Sequence, residues 1–215
     1  MTAMRVISVN VGLPREVEWK GRSVMTGIFK EPVEGTIPVR HLNLDGDRQA
    51  DLSVHGGPDK AVYAYPSEHY PFWRGEYPDH DLSWGALGEN LTTEGWLDDA
   101  VSIGDRFRVG TAEMMVVQPR IPCFKLGIRF GRDDVIKRFL ESDRPGFYLR
   151  VLHEGDVTAG DPMVRIFEDP GRVRVVDIVR LYLRRGDRDL LERAVAVEAL
   201  PASWRDYLRP RLAQS

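Results

Sequence analysis

The sequence predicts a mainly β protein, a β-rich barrel with a few helices, followed by a small cluster of three helices. Up to about residue 170, short runs rich in Val, Ile, Phe and Tyr are separated by Gly, Pro, Asp and Asn, which is typical of strands and turns. After Asp169-Pro170-Gly171, apolar residues recur at helical spacing instead. We therefore predict a β-barrel domain over residues 1–170 and a three-helix domain over residues 171–215.

Eight strands are predicted within the first domain. Each is a short run of β-favouring residues bounded by turn signals, of which Gly104-Asp105 and Val109-Gly110-Thr111 are typical of hairpins. The predicted strands are Arg5–Val9, Ser23–Phe29, Gly35–Val39, Ala61–Tyr65, Arg106–Val109, Glu113–Val117, Phe147–Val151 and Met163–Ile166.

Helical patterns occur twice in the first domain and three times after it. Ser67–Glu76 begins behind Pro66, and Asp133–Glu141 has an acidic first turn that suits a helix N-terminus. The C-terminal helices are predicted at Asp177–Leu183, Asp187–Val197 and Pro201–Leu212, with Asp187 as an N-cap and Pro201 as a first-turn proline. Each is too short to persist alone in water, so they should pack on each other or on the barrel.

Composition excludes several classes of protein. The 215 residues carry a net charge of −3, so we expect no nucleic acid polymer as a partner. The N-terminus is too quickly polar for a secretory signal, and no apolar stretch approaches the ~20 residues that span a bilayer. We expect a soluble cytoplasmic protein. The one cysteine excludes an internal disulfide and any four-cysteine metal site.

Several cofactor motifs are absent from the sequence. It contains no G-x-G-x-x-G after a strand, no P-loop and no H-E-x-x-H. No flavin or nicotinamide fingerprint is evident, so the chain shows no electron source of its own. If it catalyses a reduction, we expect electrons to come from a separate protein.

The lone cysteine, Cys123, is the most informative residue. Two prolines precede it, Pro119 and Pro122, and Arg120 and Lys125 place two positive charges nearby. Positive charge favours the thiolate, the form that acts as a nucleophile and binds metals. The alternative is a small buried apolar residue, but an ordinary core strand needs neither the prolines nor the cations.

A second segment, residues 45–60, combines glycines with a lysine. The pair Gly56-Gly57 lets backbone N–H groups approach a ligand, and Lys60 adds a positive charge for a phosphate or pyrophosphate. The alternative is a turn with a surface lysine. His55 precedes the glycine pair and is either a ligand-binding or a structural histidine.

Two further segments carry candidate binding residues. Asn90, near Thr92 and Thr93, offers hydrogen bonds of both polarities, which suits the edge of a heterocycle; a polar loop is the alternative. Arg144 stands before Pro145-Gly146, where its guanidinium could clamp a phosphate; an ion pair with a neighbouring aspartate is the alternative.

Together these segments resemble the MOSC family, and within it the bacterial branch linked to resistance against 6-hydroxylaminopurine. The C-terminal helices resemble the three-alpha domain that follows the MOSC domain in this branch. The resembling blocks are Gly46-Asp47-x-Gln49-Ala50-Asp51, Val54-His55-Gly56-Gly57-Pro58-Asp59-Lys60-Ala61-Val62, Tyr65-Pro66-x-Glu68-His69-Tyr70, Gly88-Glu89-Asn90-Leu91, Gln118-Pro119-Arg120-x-Pro122-Cys123-x-Lys125-Leu126 and Gly146-Phe147-Tyr148.

The resemblance implies a β-barrel that holds the molybdenum cofactor, molybdopterin with its molybdenum, whose pterin bears a dithiolene and a phosphate. It implies that Cys123 is the catalytic residue and the molybdenum ligand. The expected reaction is the two-electron reduction of N–OH to N–H in compounds such as 6-hydroxylaminopurine. The residues expected to bind the cofactor are His55, Gly56, Gly57, Lys60, Asn90, Arg120, Lys125 and Arg144.

Two other functions and several partners stay open from the sequence. Cys123 could instead carry a persulfide and hand its sulfur to another protein. The chain could also be a non-catalytic binding module for a phosphorylated small molecule. For the reductase, the expected partners are a small N-hydroxylated substrate and a separate flavin or iron–sulfur protein that donates electrons. The sequence leaves a homodimer open.

Overall fold

A computed structural model describes residues 4–50 and 56–213, and its main feature is one eight-stranded sheet. The sheet has the order β12-β8-β9-β10-β6-β7-β1-β4; β6 and β7 pair in parallel and its other neighbours are antiparallel. Two-stranded sheets β2-β3 and β5-β11 flank it. The strands are β1 Arg5–Val11, β2 Arg15–Trp19, β3 Arg22–Thr26, β4 Glu31–Val33, β5 Ile37–Val39, β6 Val62–Pro66, β7 Leu91–Glu94, β8 Arg106–Val109, β9 Ala112–Pro119, β10 Phe147–His153, β11 Gly155–Val157 and β12 Met163–Phe167.

The mainly β class is confirmed, but the sheet is not a closed barrel. Its two ends are β4 and β12, which are not paired with each other. Contacts near the start of β12 bring it beside the start of β1, the neighbour of the end strand β4: the Met163 N–H donates to the Met4 carbonyl over 2.9 Å, and Arg5 forms an isolated bridge with Pro162. The predicted barrel is therefore corrected to a curled, open sheet.

Four strands were not predicted, namely β2, β4, β7 and β11, and for two of them, β2 and β7, the reason is physical. The hairpin β2-β3 turns at Lys20 and Gly21, with φ of 53° and 72°, and most of its side chains are exposed, so it lacks a clear apolar face. Strand β7 includes Thr92 and Thr93, which are fully buried although polar, so its sequence suggested a loop. A buried polar strand has no apolar alternation for a pattern to detect.

The helices confirm the predicted helical regions and add one. Helix α2 was not predicted, because it has only seven residues and follows Pro122 closely. The C-terminal helices appear as predicted, with the Asp187 side chain accepting a capping bond of 2.8 Å from the Leu190 N–H and Pro201 at the N-cap of the last helix. The helices are α1 Tyr70–Glu76, α2 Phe124–Phe130, α3 Asp134–Glu141, α4 Val175–Tyr182, α5 Arg188–Ala196 and α6 Ala202–Leu208.

Two apolar clusters hold the molecule together. The larger joins one face of the sheet to the C-terminal helices, so that Val175, Leu191 and Leu208 pack in the same cluster as Phe107 of β8. The smaller is aromatic and packs α1, α2 and α3 on the other side of β6. The C-terminal helices therefore cover the sheet and complete its core. Among the described residues, no helix is long and apolar enough to cross a membrane.

Candidate functional site

Cys123 lines a cleft of about 580 Å³, its open mouth included. The cleft brings together five of the nine predicted site residues: Cys123, Lys60, Asn90, Arg120 and Lys125. Its walls are completed by Thr26, Gly27, Ile28, Lys30, Asp47, Arg48, Gln49, Ala50, Tyr63, Gly88 and Tyr148.

The Cys123 segment forms one wall of the cleft. Cys123 is half-buried and has an extended backbone, with φ of −118° and ψ of 174°, at the N-cap of α2. Pro122 precedes it and fixes the approach of the chain, which then turns into the helix. The next residue, Phe124, begins the helix and is 49% exposed.

Arg120 supports the cleft from within the protein. Its side chain is 7% exposed, and its guanidinium lies 4.9 Å from the centre of the Tyr63 ring and 5.7 Å from that of Phe139. It also donates a hydrogen bond to the Leu87 carbonyl. Because these contacts hold the guanidinium, Arg120 contributes a fixed positive charge to the cleft wall.

Lys60, which also lines the cleft, ends a short 3-10 turn, Pro58–Lys60. The turn follows Gly57, whose φ of 92° is favoured by glycine. The Lys60 N–H donates to the Gly57 carbonyl over 3.1 Å. Burial lowers the pKa of the Lys60 ammonium from its ordinary value, and the nearby Cys123 and Asp59 oppose that shift.

The sequence patterns missed Lys30, which forms a buried ion pair with Asp47 at the cleft. Lys30 is 8% exposed. Burial lowers the pKa of Lys30, and Asp47 opposes the shift. Asp47 belongs to one of the sequence blocks that resemble the MOSC family. Lys30 lies in a loop without a motif, so no sequence signal could have identified Lys30.

Asn90 connects this ion pair to the sheet. Its amide donates to Oδ2 of Asp47 over 2.8 Å and more weakly to the Asn10 carbonyl over 3.4 Å, and its Oδ1 accepts from the Tyr63 N–H over 3.0 Å. Asn90 is only 4% exposed. Its polar atoms are therefore bonded to the protein and position Asp47, and its predicted contact with a pterin edge stays a prediction.

The charges around the cleft are unequal. Among the residues that the structure describes, five positively charged side chains line it, against one carboxylate, that of Asp47. The cations are Lys30, Arg48, Lys60, Arg120 and Lys125. A concave site with excess positive charge favours an anionic ligand.

Arg144 lies away from this cleft. It lines a different cavity with His69, Asp98 and Arg180, where its guanidinium stacks 4.2 Å from the centre of the Phe72 ring and donates to the Ser142 carbonyl over 2.7 Å. Arg144 and Cys123 thus line different cavities, and the predicted contact of Arg144 with a cofactor phosphate stays a prediction.

The segment His55-Gly56-Gly57, predicted to bind the cofactor, adds no residue to the described lining of the cleft. Gly56 and Gly57 do not belong to the lining of the cleft, although Gly57 begins the turn that carries Lys60. His55 lies outside the described residues. The predicted contacts of these three residues with a cofactor stay predictions.

Two family models match the chain. The model described as the MOSC domain matches residues 51–164, and the model described as the YiiM-like, 3-alpha helix domain matches residues 180–215. The first match contains half of the residues that line the cleft, including Lys60, Asn90 and Cys123.

The chain is also similar to individual proteins of known sequence or structure. The chain is 41% identical over 201 residues to the uncharacterized protein YflK of Bacillus subtilis (strain 168), which covers 93% of this chain and 90% of YflK. It is 38% identical over 168 residues to a protein named reductase of Gibberella moniliformis (strain M3125 / FGSC 7600), covering 77% of this chain but 30% of that longer protein. The crystal structure of YiiM from Geobacillus stearothermophilus superimposes with a TM-score of 0.81 at 34% identity, covering 97% of this chain and 99% of that one.

Proposed function

Since this chain belongs to the MOSC family and ends in a YiiM-like 3-alpha helix domain, we propose that it is a molybdenum-cofactor-dependent reductase of small N-hydroxylated compounds. The reaction would convert N–OH to N–H, as with 6-hydroxylaminopurine. The observation that supports this proposal best is the half-buried thiol of Cys123 on the wall of a cleft rich in positive charge. The similarity to a protein named reductase also supports a reductive activity.

The residues of the cleft fit the molybdenum cofactor. A thiolate is a soft ligand of the kind that suits molybdenum bound by dithiolene sulfurs, and Cys123 would supply it. The cofactor's phosphate is anionic, and Lys60 and Lys125 line the same cleft as the thiol. When bound, the cofactor supplies the two-electron redox chemistry, and the protein supplies binding, orientation and electrostatics.

Other side chains have roles that follow from their contacts. Lys30 and Asp47, held by Asn90, set the charge at the inner end of the cleft. Tyr148 lines the cleft, and a tyrosine hydroxyl is protonated at neutral pH and can donate its proton. We assign it the donation of a proton to the oxygen of the substrate N–OH group. The overall reaction consumes two electrons and two protons and releases water.

The decisive experiment compares Cys123→Ala with the wild-type protein, each produced in a host that makes the molybdenum cofactor. We expect the wild-type protein to contain molybdenum by elemental analysis and to reduce 6-hydroxylaminopurine when a chemical reductant supplies electrons. Cys123→Ala should lose both properties while its thermal unfolding changes little, because the side chain is small and half-buried. Lys20→Ala, on the exposed β2-β3 turn, is the matched surface control.

Three outcomes would contradict the reductase. Full activity in Cys123→Ala would remove the thiol from the reaction. A molybdenum-free wild-type protein that carries persulfide sulfur on Cys123 would favour the sulfur carrier. Binding of a phosphorylated small molecule without any redox activity, unaffected by Cys123→Ala, would favour a binding module.

A further inference from the structure

We propose that Trp204, in the last helix of the chain, is a positioning residue for Lys60 in the Cys123 cleft. The proposal deepens the function above, because it gives the C-terminal helices a role in ligand binding, and it rests on Lys60 serving as an anion-binding residue. It does not depend on which metal or redox chemistry the cleft supports.

A continuous chain of hydrogen bonds links Trp204 to the turn that carries Lys60. The indole Nε1–H of Trp204 donates to Oε1 of Gln118 over 2.8 Å. The Nε2–H of Gln118 donates to the carbonyl of Asp59 over 2.8 Å. Asp59 is the residue before Lys60 in the Pro58–Lys60 turn.

The chemistry of the end groups fixes the orientation of the amide between them. An indole N–H can only donate, and a backbone carbonyl can only accept. Gln118 can bridge the two only with its oxygen toward Trp204 and its nitrogen toward Asp59. If the indole donor is lost, the amide can rotate, and its hold on the turn weakens.

Burial makes this bridge a defined structural element. Gln118 is 6% exposed and belongs to β9, a central strand of the sheet. On the other side of the turn, the Asp59 carboxylate accepts from Nε of Arg150 over 2.7 Å. The turn is thus held at its carbonyl by Gln118 and at its side chain by Arg150, and the first of these contacts depends on Trp204.

The surroundings of Trp204 tie the same helix to the cysteine segment. Its ring lies 5.9 Å from that of Tyr182 and 6.2 Å from that of Tyr207, measured between ring centres. These three side chains line a small groove together with Ile121, which precedes Cys123 by two residues. The C-terminal helices therefore contact the segment of the thiol as well as the support of Lys60.

The test combines single and double variants of the full-length protein, with inorganic pyrophosphate as the anion probe. Trp204→Phe keeps an aromatic ring and removes the N–H donor. We expect it to weaken pyrophosphate binding, measured by titration calorimetry, about threefold to tenfold, the worth of one hydrogen bond. In a Lys60→Met background the same change should have almost no effect, because the residue being positioned is gone.

Two comparisons separate positioning from a general effect on folding. Tyr207→Phe removes a hydroxyl from the same aromatic group but lies outside the bond chain, so its affinity should match the wild-type value. Hydrogen exchange at the amides of residues 59–61 should accelerate in Trp204→Phe, while exchange in β1 stays unchanged.

Each result supports or overturns the proposal. An equal loss of affinity from Trp204→Phe with and without Lys60 would overturn it, and so would unchanged exchange at residues 59–61. If the wild-type protein does not bind pyrophosphate at all, the role of Lys60 in anion binding is wrong and the proposal falls with it. Molybdenum content does not enter these measurements, so failure of the reductase proposal would be seen separately.

Discussion

The side-chain amide of Asn90 donates a 2.8 Å hydrogen bond to Oδ2 of Asp47, the carboxylate that also pairs with Lys30. The Gly12 N–H donates to the other oxygen of the same carboxylate over 3.0 Å. Asp47 is thus held by three separate segments of the chain, and the inner end of the cleft is set before any ligand arrives. A site with fixed charges loses little free energy to reorganisation when it binds.

Asn90→Ala should destabilise the protein. The change leaves the Asp47 oxygen and the Tyr63 N–H without a bond that each makes now, and both residues are buried. We expect a loss of about 1–3 kcal/mol in the free energy of unfolding, measured by urea denaturation. Asn43→Ala, at a partly exposed position, should cost less than about 0.5 kcal/mol. Equal losses in the two variants would show that the hydrogen bonds of Asn90 contribute no more to the free energy of unfolding than a partly exposed asparagine does.

The cleft should lose anion affinity at high pH partly through Lys30. Burial lowers the pKa of Lys30 from 10.5, while Asp47 and Glu89 oppose the shift and Arg120 adds to it. As pH rises, this ammonium therefore loses its proton before an ordinary lysine would, and the Asp47 charge is left uncompensated. Pyrophosphate affinity should fall before pH 10.5 is reached.

The control for this pH effect is Lys30→Met, which lacks the titrating charge. It should bind pyrophosphate more weakly near neutral pH and lose less affinity as pH rises, so that the two curves converge. Parallel curves for the two proteins would assign the pH dependence to other groups.

Tyr148→Phe should slow the reduction without reducing the amount of cofactor bound in the cleft. The substitution keeps the ring, which lies 5.1 Å from that of Tyr63 between centres, and removes the proton donor. General acid catalysis contributes about 10²-fold or more, so turnover with a chemical reductant should fall by that order. Molybdenum content should stay at the wild-type value.

Tyr63→Phe provides the comparison for the phenol of Tyr148. The hydroxyl of Tyr63 already donates to the Pro145 carbonyl over 2.7 Å, so its removal should affect stability more than turnover. A Tyr148→Phe protein with wild-type turnover would exclude this hydroxyl as the proton donor.

We propose that the electron-donating partner, a flavin or iron–sulfur protein, docks on the C-terminal helices. Arg184 and Arg185 are exposed after α4 and could steer an acidic partner. Replacing both with Glu should slow partner-driven turnover about tenfold at low salt, with a smaller effect at high salt. Turnover with a chemical reductant should not change.

Charge reversal is the suitable test because the helices cannot be deleted. Val175, Leu191 and Leu208 belong to the main core, so a shortened chain would expose the apolar face of the sheet. Arg22→Glu, on the exposed β3, is the matched control. Equal slowing by the control, or slowing that salt does not relieve, would place the docking surface elsewhere.

The sequence could identify the cleft because its key residues lie in short local patterns. Cys123 follows two prolines and has a cation on either side, and Lys60 follows a glycine pair, so each residue was recognisable from its own segment. The structure brings them to one cleft. The MOSC resemblance drawn from these blocks is confirmed by the family matches.

What the sequence could not predict depends on contacts between distant segments. Lys30 meets Asp47 only after the chain folds, and nothing in its own neighbourhood distinguishes it from a surface lysine. Arg144 stands before a proline and a glycine, as a ligand-binding arginine would, but its ring contact with Phe72 holds it in another cavity. Asn90 offers the right hydrogen-bonding groups, yet the fold uses them internally.

The shared core of the sheet and the C-terminal helices limits how relatives of this chain can exchange parts. A hybrid that joins this sheet to the helices of another relative would set foreign side chains against Phe107 and its neighbours. Interiors are packed closely enough that a mismatch of even one methylene group is felt. A relative that carries a different side chain at Leu191 or Leu208 should therefore also carry a compensating change in the sheet residues packed against it. The sheet and the C-terminal helices should then change together during evolution.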